Sequence, residues 1–182
     1  MELKTKFINN TLENIIINTM LKSNSEDIYD KCVLDVGLGY NLLDFYLDYL
    51  NASLVTVITA KDNLAAFIQY PQIDVLKLNL SERVGAFSSQ FDLVNAYGTF
   101  NFIHSDSDWQ TILENLLFYI RPGGFCLING SFPKITEDNC RSKGVWKAVL
   151  AKCGCSILSM TDYSLDYFDI TEKIMVVKKC KI

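Results

Sequence analysis

The segment Lys31–Leu50, KCVLDVGLGYNLLDFYLDYL, sets an acidic residue, Asp35, at the end of an apolar run. Gly37 and Gly39 follow, and then a helical pattern. Two glycines at that spacing allow a tight turn and a close approach of the backbone to a ligand. The alternative reading of Asp35 is a turn or cap residue. Asn41 stands where a third glycine is expected and reads as a helix N-cap, a position asparagine favours. Asp44, three residues on, fits a capping-box-like arrangement. A dinucleotide fingerprint requires glycine or alanine at the sixth position, which here is Leu42. Asp44 also brings negative charge to the helix end where a pyrophosphate would sit, which argues against NAD or FAD. The charge matters less for a ligand without phosphate. The single histidine, His104, is the side chain best suited to proton transfer near neutral pH. Of the six cysteines, Cys153 and Cys155 have CxC spacing, which is neither a zinc nor a redox motif, so no metal site is expected.

The elements that position these residues alternate along the chain. Apolar runs at 32–36, 54–58, 73–78, 91–96, 125–129, 155–163 and 172–180 read as strands. Helical patterns fall at 8–22, 41–50, 62–69, 108–120 and 139–152. Strands alternating with helices imply βαβ units and a mainly parallel sheet, and near-continuous apolar strands imply helices on both faces. The last two runs have no helix between them and predict a hairpin, so the sheet should end on an antiparallel strand. In the helix after the glycines, Leu42, Leu43, Tyr46 and Leu50 form the apolar face, with Asp44 and Asp48 toward solvent. Ligands of such sheets bind at the carboxyl ends of the strands, where the Asp35–Gly39 turn is expected.

A chain of 182 residues with 49% hydrophobic residues is long enough for one domain with a sizeable core. The expected organisation is a single domain over 1–182, with an N-terminal helical segment at 1–30 and a Rossmann-like core at 31–182. The net charge of −4 gives no basic surface for nucleic acid or an anionic membrane. No run approaches the roughly 20 apolar residues of a membrane span, and the N-terminus lacks a signal-peptide pattern. A cytoplasmic location is therefore expected. Cys32, Cys126, Cys140, Cys153, Cys155 and Cys180 agree with it, since several lie in apolar runs where free cysteine acts as a small hydrophobe.

Three stretches together carry a family resemblance: VLDVGLGYN, FDLVNAYGTFNFIH and ILENLLFYIRPGGFCLI. In order and spacing they resemble the first motif, the fourth-strand motif and the turn before the fifth strand of the class I, Rossmann-like S-adenosylmethionine-dependent methyltransferases. The similarity of strand–helix order spans essentially the whole chain. It implies a three-layer sheet of about seven strands, mostly parallel with an antiparallel C-terminal hairpin strand. It implies S-adenosylmethionine as cofactor, with Asp35, Gly37 and Gly39 near its methionine end and Asn95 in the fourth-strand motif beside it. Two positions depart from the family pattern. Thr59, twenty residues past Gly39, stands where a carboxylate normally grips the ribose hydroxyls, and Asn79 replaces a frequent aspartate near the adenine. Exchanging a charged for a neutral hydrogen bond at the ribose costs about 1–2 kcal/mol, or about five- to thirtyfold in affinity. Asp62 lies one turn on and can compensate, or serve only as a first-turn helix residue.

Methyl transfer from a sulfonium needs mainly alignment, and a general base only where the nucleophile carries a proton. His104 is the candidate base for that case, and equally a surface or substrate-shaping residue. The tripeptide Asn95-Ala96-Tyr97 lacks the prolines of the family's amino-group N-P-P-Y motif. Tyr97, Phe100, Phe102, Tyr163, Tyr167 and Phe168 border the expected mouth, as walls of an apolar pocket, as core or as a partner surface. The pattern contains no block for an inserted substrate domain. The expectation is therefore a small-molecule substrate, or a second copy or partner subunit that completes the pocket. A methyltransferase of small molecules is the leading reading, and a non-catalytic protein of the same fold acting as a binding or partner subunit is its rival.

Overall fold

The computed structural model describes residues 11–22, 29–37, 42–59, 70–130, 141–165 and 170–180. Seven strands form one sheet: β1 (Cys32–Val36), β2 (Leu54–Ile58), β3 (Ile73–Leu76), β4 (Phe91–Ala96), β5 (Ile120–Gly130), β6 (Cys155–Leu165) and β7 (Ile170–Lys179). Their spatial order is β3-β2-β1-β4-β5-β7-β6. Strands β1 to β5 pair in parallel, and β7 runs antiparallel to both β5 and β6. This is the expected mixed sheet with a reversed C-terminal hairpin.

Each face of the sheet closes a separate apolar core. Even-numbered residues such as Leu34, Val94, Cys126 and Ile128 pack with helices α2 (Asp106–Tyr119) and α3 (Lys143–Lys152). Odd-numbered residues such as Val33, Val57, Leu93 and Leu127 pack with helix α1 (Thr11–Lys22) and with Leu42, Phe45, Tyr46 and Leu50. The period-two alternation of side chains is what divides each strand between the two layers. Helix α1 presents Leu12, Ile16 and Met20, spaced by one turn, to its core.

Several boundaries differ from the sequence expectation. Strand β3 stops at Leu76, two residues short of the apolar run. Strand β5 begins at Ile120, not Phe125, because Ile120 pairs with Phe91 ahead of an irregularity at Arg121-Pro122-Gly123-Gly124. Gly124 belongs there, since a Cβ would lie 2.8 Å from the Asp92 carbonyl oxygen and 2.8 Å from Ile120 Cγ2. Helix α2 starts at Asp106, two residues early, because Ser105 caps it by accepting the Asp108 N–H. Ser142 caps α3 in the same way, so α3 begins at Lys143 rather than 139. The segment expected as an α-helix over 41–50 opens with an α-helical bond from the Tyr46 N–H to the Leu42 carbonyl at 2.9 Å and then widens over Phe45–Tyr49, where the Leu50 N–H reaches the Phe45 carbonyl at 3.1 Å. Tyr46, inside this turn, donates its hydroxyl to Asp35, a contact that a period-3.6 stripe does not anticipate. The expected helix at 62–69 lies outside the described residues.

Candidate functional site

Strand β1 delivers Asp35 to the carboxyl end of the sheet. In register it faces Asn95 of β4 on one side and Val57 of β2 on the other. Thr59 lies two positions past Val57, and Asn129 two positions past Leu127, the β5 partner of Asn95. By strand alternation these four residues lie on one face, the face that carries Val33, Val57, Leu93 and Leu127 below them. Thr59, Asp35, Asn95 and Asn129 are each no more than 4% exposed. A run of apolar side chains thus ends, strand after strand, in a buried polar band.

The band is internally bonded. Asp35 Oδ2 accepts from the Tyr46 hydroxyl at 2.7 Å and from Asn95 Nδ2 at 2.9 Å. Asn95 Oδ1 accepts the Tyr97 N–H at 3.3 Å. Asn129 Oδ1 accepts the Gly98 N–H at 3.0 Å, which anchors the left-handed residue (φ +85°) that opens the turn Thr99–Phe102. Thr99 Oγ1 then donates to the Val36 carbonyl at 3.3 Å, tying that turn to the end of β1. Burial raises the pKa of the Tyr46 hydroxyl well above 10, and the Asp35 charge raises it further.

Gly37 leaves β1 with φ +96°, and its N–H donates to the Ile58 carbonyl at 2.8 Å. An L-residue rarely adopts that dihedral. Among the described residues, a Cβ at Gly37 would meet Thr99 Oγ1 at 3.9 Å, an ordinary contact, so toward these residues the glycine serves the dihedral and not a steric gap. Gly39, Asn41 with its capping role, and Asp62 lie outside the described residues. Asp44 and Asp48 are exposed, as their place off the apolar stripe implies.

Two of the expected site residues stand apart from the band. Asn79 is exposed and bonded within its own turn: Oδ1 accepts the Ser81 N–H and Nδ2 donates to Glu82. His104 is exposed after the Thr99–Phe102 turn, and its carbonyl accepts Arg141 Nη2 at 3.2 Å. Arg141 is buried, lies 5.5 Å from the Trp109 ring centroid and pairs with Asp106 at 2.6 Å. This guanidinium joins the His104 segment to the start of α3. Tyr97 and Phe100 are buried core, with Phe100 packed edge-on against Trp109 and Trp146. The side chains of Phe102, Tyr163, Tyr167 and Phe168 lie outside the described residues.

Asn129, Tyr46 and Arg141 were not singled out from the sequence as site residues. Asn129 had a signal: in FCLING it occupies the same period-two face as Phe125 and Leu127, a polar residue where that face reaches the strand end. The link from Tyr46 to Asp35 and the link from Arg141 to His104 exist only in three dimensions. A cavity of about 330 Å³ between α1 and the β6–β7 hairpin, lined by Ile15, Asn18, Thr19, Leu158 and Lys178 among others, contains none of the expected site residues. Among the described residues, no three His, Cys, Asp or Glu side chains group to hold a metal ion, and no helix is long and apolar enough to cross a membrane.

No protein-family profile matches the sequence, and no curated protein matches it at the sequence level. Similarity appears among solved structures. The Burkholderia thailandensis 1,6-didemethyltoxoflavin-N1-methyltransferase, solved with 1,6-didemethyltoxoflavin and S-adenosylhomocysteine, superposes with a TM-score of 0.71 at 16% identity, over 98% of this chain and 81% of that one. The magnesium protoporphyrin IX methyltransferase ChlM of Synechocystis PCC 6803, solved with S-adenosylmethionine, gives 0.66 at 13% identity, over 93% and 78%. The [4+2]-cyclase SpnF gives 0.67 at 14% identity, over 93% and 81%. The sheet order, the reversed hairpin and these superpositions together establish that the chain has the Rossmann-like fold of the class I S-adenosylmethionine-dependent methyltransferases.

Proposed function

We propose that this chain is an S-adenosylmethionine-dependent methyltransferase acting on a small molecule. The observation that carries the reading is the buried polar band Thr59–Asp35–Asn95–Asn129 beside the left-handed Gly37, at the carboxyl end of the parallel strands. A ligand with an ammonium, a ribose and no phosphate suits this donor and acceptor set: a carboxylate for the ammonium, a hydroxyl for the ribose, and a glycine turn for close backbone approach. Asp35, Gly37 and Thr59 would hold the cofactor, with Gly39 completing the turn. Asn95 supports Asp35 through its amide. When bound, the cofactor supplies an electrophilic methyl group.

The protein's own contribution is alignment and exclusion of water, which suffices for a nucleophile already free of its proton. Where the nucleophile carries one, the exposed His104 imidazole accepts it, on a segment held by Arg141. The net charge of −4 favours a small substrate over nucleic acid. The domain is read as one unit over 1–182, working in the cytoplasm, alone or with a second copy.

One observation bears on the rival, a binding or partner subunit. Each end of the Asn79 amide already makes one bond inside its own turn, which leaves one lone pair on Oδ1 and one N–H on Nδ2 for adenine. A superposed cyclase also illustrates that this fold does not fix the chemistry. Thermal shift and calorimetry with S-adenosylmethionine, S-adenosylhomocysteine and NADH separate the readings. Ligand at about 100 times its Kd adds about 2.7 kcal/mol, a rise in Tm of roughly 5–10 °C for a chain of this size. A shift with either sulfur compound is expected. Silence at millimolar concentration in both assays favours the partner subunit, and a larger shift with NADH overturns the cofactor assignment.

A further inference from the structure

Tyr46 carries a polar group that the glycine motif does not require. The residue is fully buried in the core beneath the polar band, a place where phenylalanine would pack as well. Its hydroxyl nevertheless donates to Asp35 Oδ2 at 2.7 Å, the same oxygen that accepts Asn95 Nδ2 at 2.9 Å. Bonds to an ionised acceptor are shorter and stronger than neutral ones, so these two donors fix the carboxylate's rotamer. The backbone around this contact is irregular. Around Tyr46 the helix widens: the Leu50 N–H reaches the Phe45 carbonyl at 3.1 Å and the Ala52 N–H reaches the Tyr46 carbonyl at 2.9 Å. Such widened turns are rare inside helices and concentrate at functional sites.

We propose that Tyr46 is a positioning residue that sets the Asp35 carboxylate to receive the ammonium of the cofactor's amino-acid arm. The inference rests on the cofactor reading above and extends it to one part of the ligand. Burial and the neighbouring carboxylate hold the phenol protonated well beyond pH 10, so it remains a donor to Asp35 under all working conditions. A purely structural tyrosine would affect stability, or every ligand of the site, alike. A positioning tyrosine affects only the ligands that carry the ammonium.

The test is calorimetric titration of wild type and Tyr46→Phe with S-adenosylhomocysteine and with 5′-methylthioadenosine, a thioether nucleoside without the amino-acid arm. Loss of one hydrogen bond to the carboxylate should weaken S-adenosylhomocysteine by about three- to tenfold and leave 5′-methylthioadenosine within about twofold. Tyr119→Phe is the control, because Tyr119 is also buried but bonds to the Val84 N–H and the Glu82 carbonyl on the opposite face. It should leave the ratio of the two affinities unchanged. Equal weakening of both ligands in Tyr46→Phe, or no weakening of either, overturns the inference and leaves the cofactor reading intact. A wild-type protein that binds neither overturns both. Should Tyr46→Phe not fold, 3-fluorotyrosine at position 46 reports on the folded protein. Its fluorine resonance should move on addition of S-adenosylhomocysteine and stay with 5′-methylthioadenosine, and equal movement with both overturns the inference.

Discussion

Replacing Gly37 separates backbone strain from steric fit at the centre of the site. The residue has φ +96°, and among the described residues the nearest atom to an added Cβ is Thr99 Oγ1 at 3.9 Å, an ordinary contact. Gly37→Ala therefore meets no clash with the described residues, and its cost there is the dihedral, about 1–2 kcal/mol for an L-residue in the left-handed region. The stiffer unfolded chain of alanine returns about 0.4–1 kcal/mol. The net loss is about 1 kcal/mol, read as a fall in Tm of about 2–4 °C. Asparagine tolerates positive φ better than alanine, so Gly37→Asn should fall less. Gly124→Ala makes the contrast, because its Cβ would lie 2.8 Å from the Asp92 carbonyl oxygen at the opposite end of β4. Forcing atoms into that space costs about 1–3 kcal/mol, yet should leave affinity for S-adenosylhomocysteine unchanged. Both Gly37 variants should weaken that affinity, alanine by at least about tenfold if the turn's backbone meets the ligand. Differential scanning calorimetry and titration of the three variants give all the quantities. Equal Tm values for Gly37→Ala and Gly37→Asn would refute the dihedral argument. A Gly37→Ala protein with wild-type affinity would refute the turn's role in binding.

Thr59 is only 4% exposed, so Thr59→Asp buries a carboxylate where the fold provided a hydroxyl. The variant should melt below wild type, because burying a charge is costly, yet bind S-adenosylhomocysteine a few-fold to tens of fold more tightly through charged bonds to the ribose. Unchanged affinity in both Thr59→Asp and Thr59→Val would remove Thr59 from the ribose site. Alkaline stability offers a separate check on the core. Burial pushes the Cys155 thiol up to about 11, so the folded state keeps a proton that the unfolded state loses from about pH 8.5. Stability from this group is fully present below that pH and is lost as pH rises toward 11, at about 1.4 kcal/mol per pH unit. Denaturant titrations of Cys155→Ala should show a shallower decline between pH 9 and 11 than wild type, and parallel declines would refute the assignment.

The sequence alone determined the succession of the strands along the chain, the mainly parallel sheet and the reversed hairpin, while their spatial order came from the structure. The physical reason is local: a strand buried on both faces must be continuously apolar, as CVLDV and LVTVI are, and a missing helix between the last two runs leaves only a hairpin. It also set Asp35, Thr59 and Asn95 at or just past the carboxyl ends of their strands, because the apolar runs end there. Tertiary structure decided how those ends combine. Register across three strand pairs brings Asp35 beside Asn95 and aligns Thr59 and Asn129 on the same face, and register is a relation between segments up to 60 residues apart. The bond from Tyr46 to Asp35 accompanies a widened turn where periodicity predicts an α-helix, and neither the bond nor the turn is written in the apolar stripe. Strand β5 reaches back to Ile120 because β4 offers Phe91 as a partner, which no reading of PGG as a turn reveals. Arg141 donates to the backbone carbonyl of His104, 37 residues away in sequence, so packing, and not spacing, fixes where that segment stands.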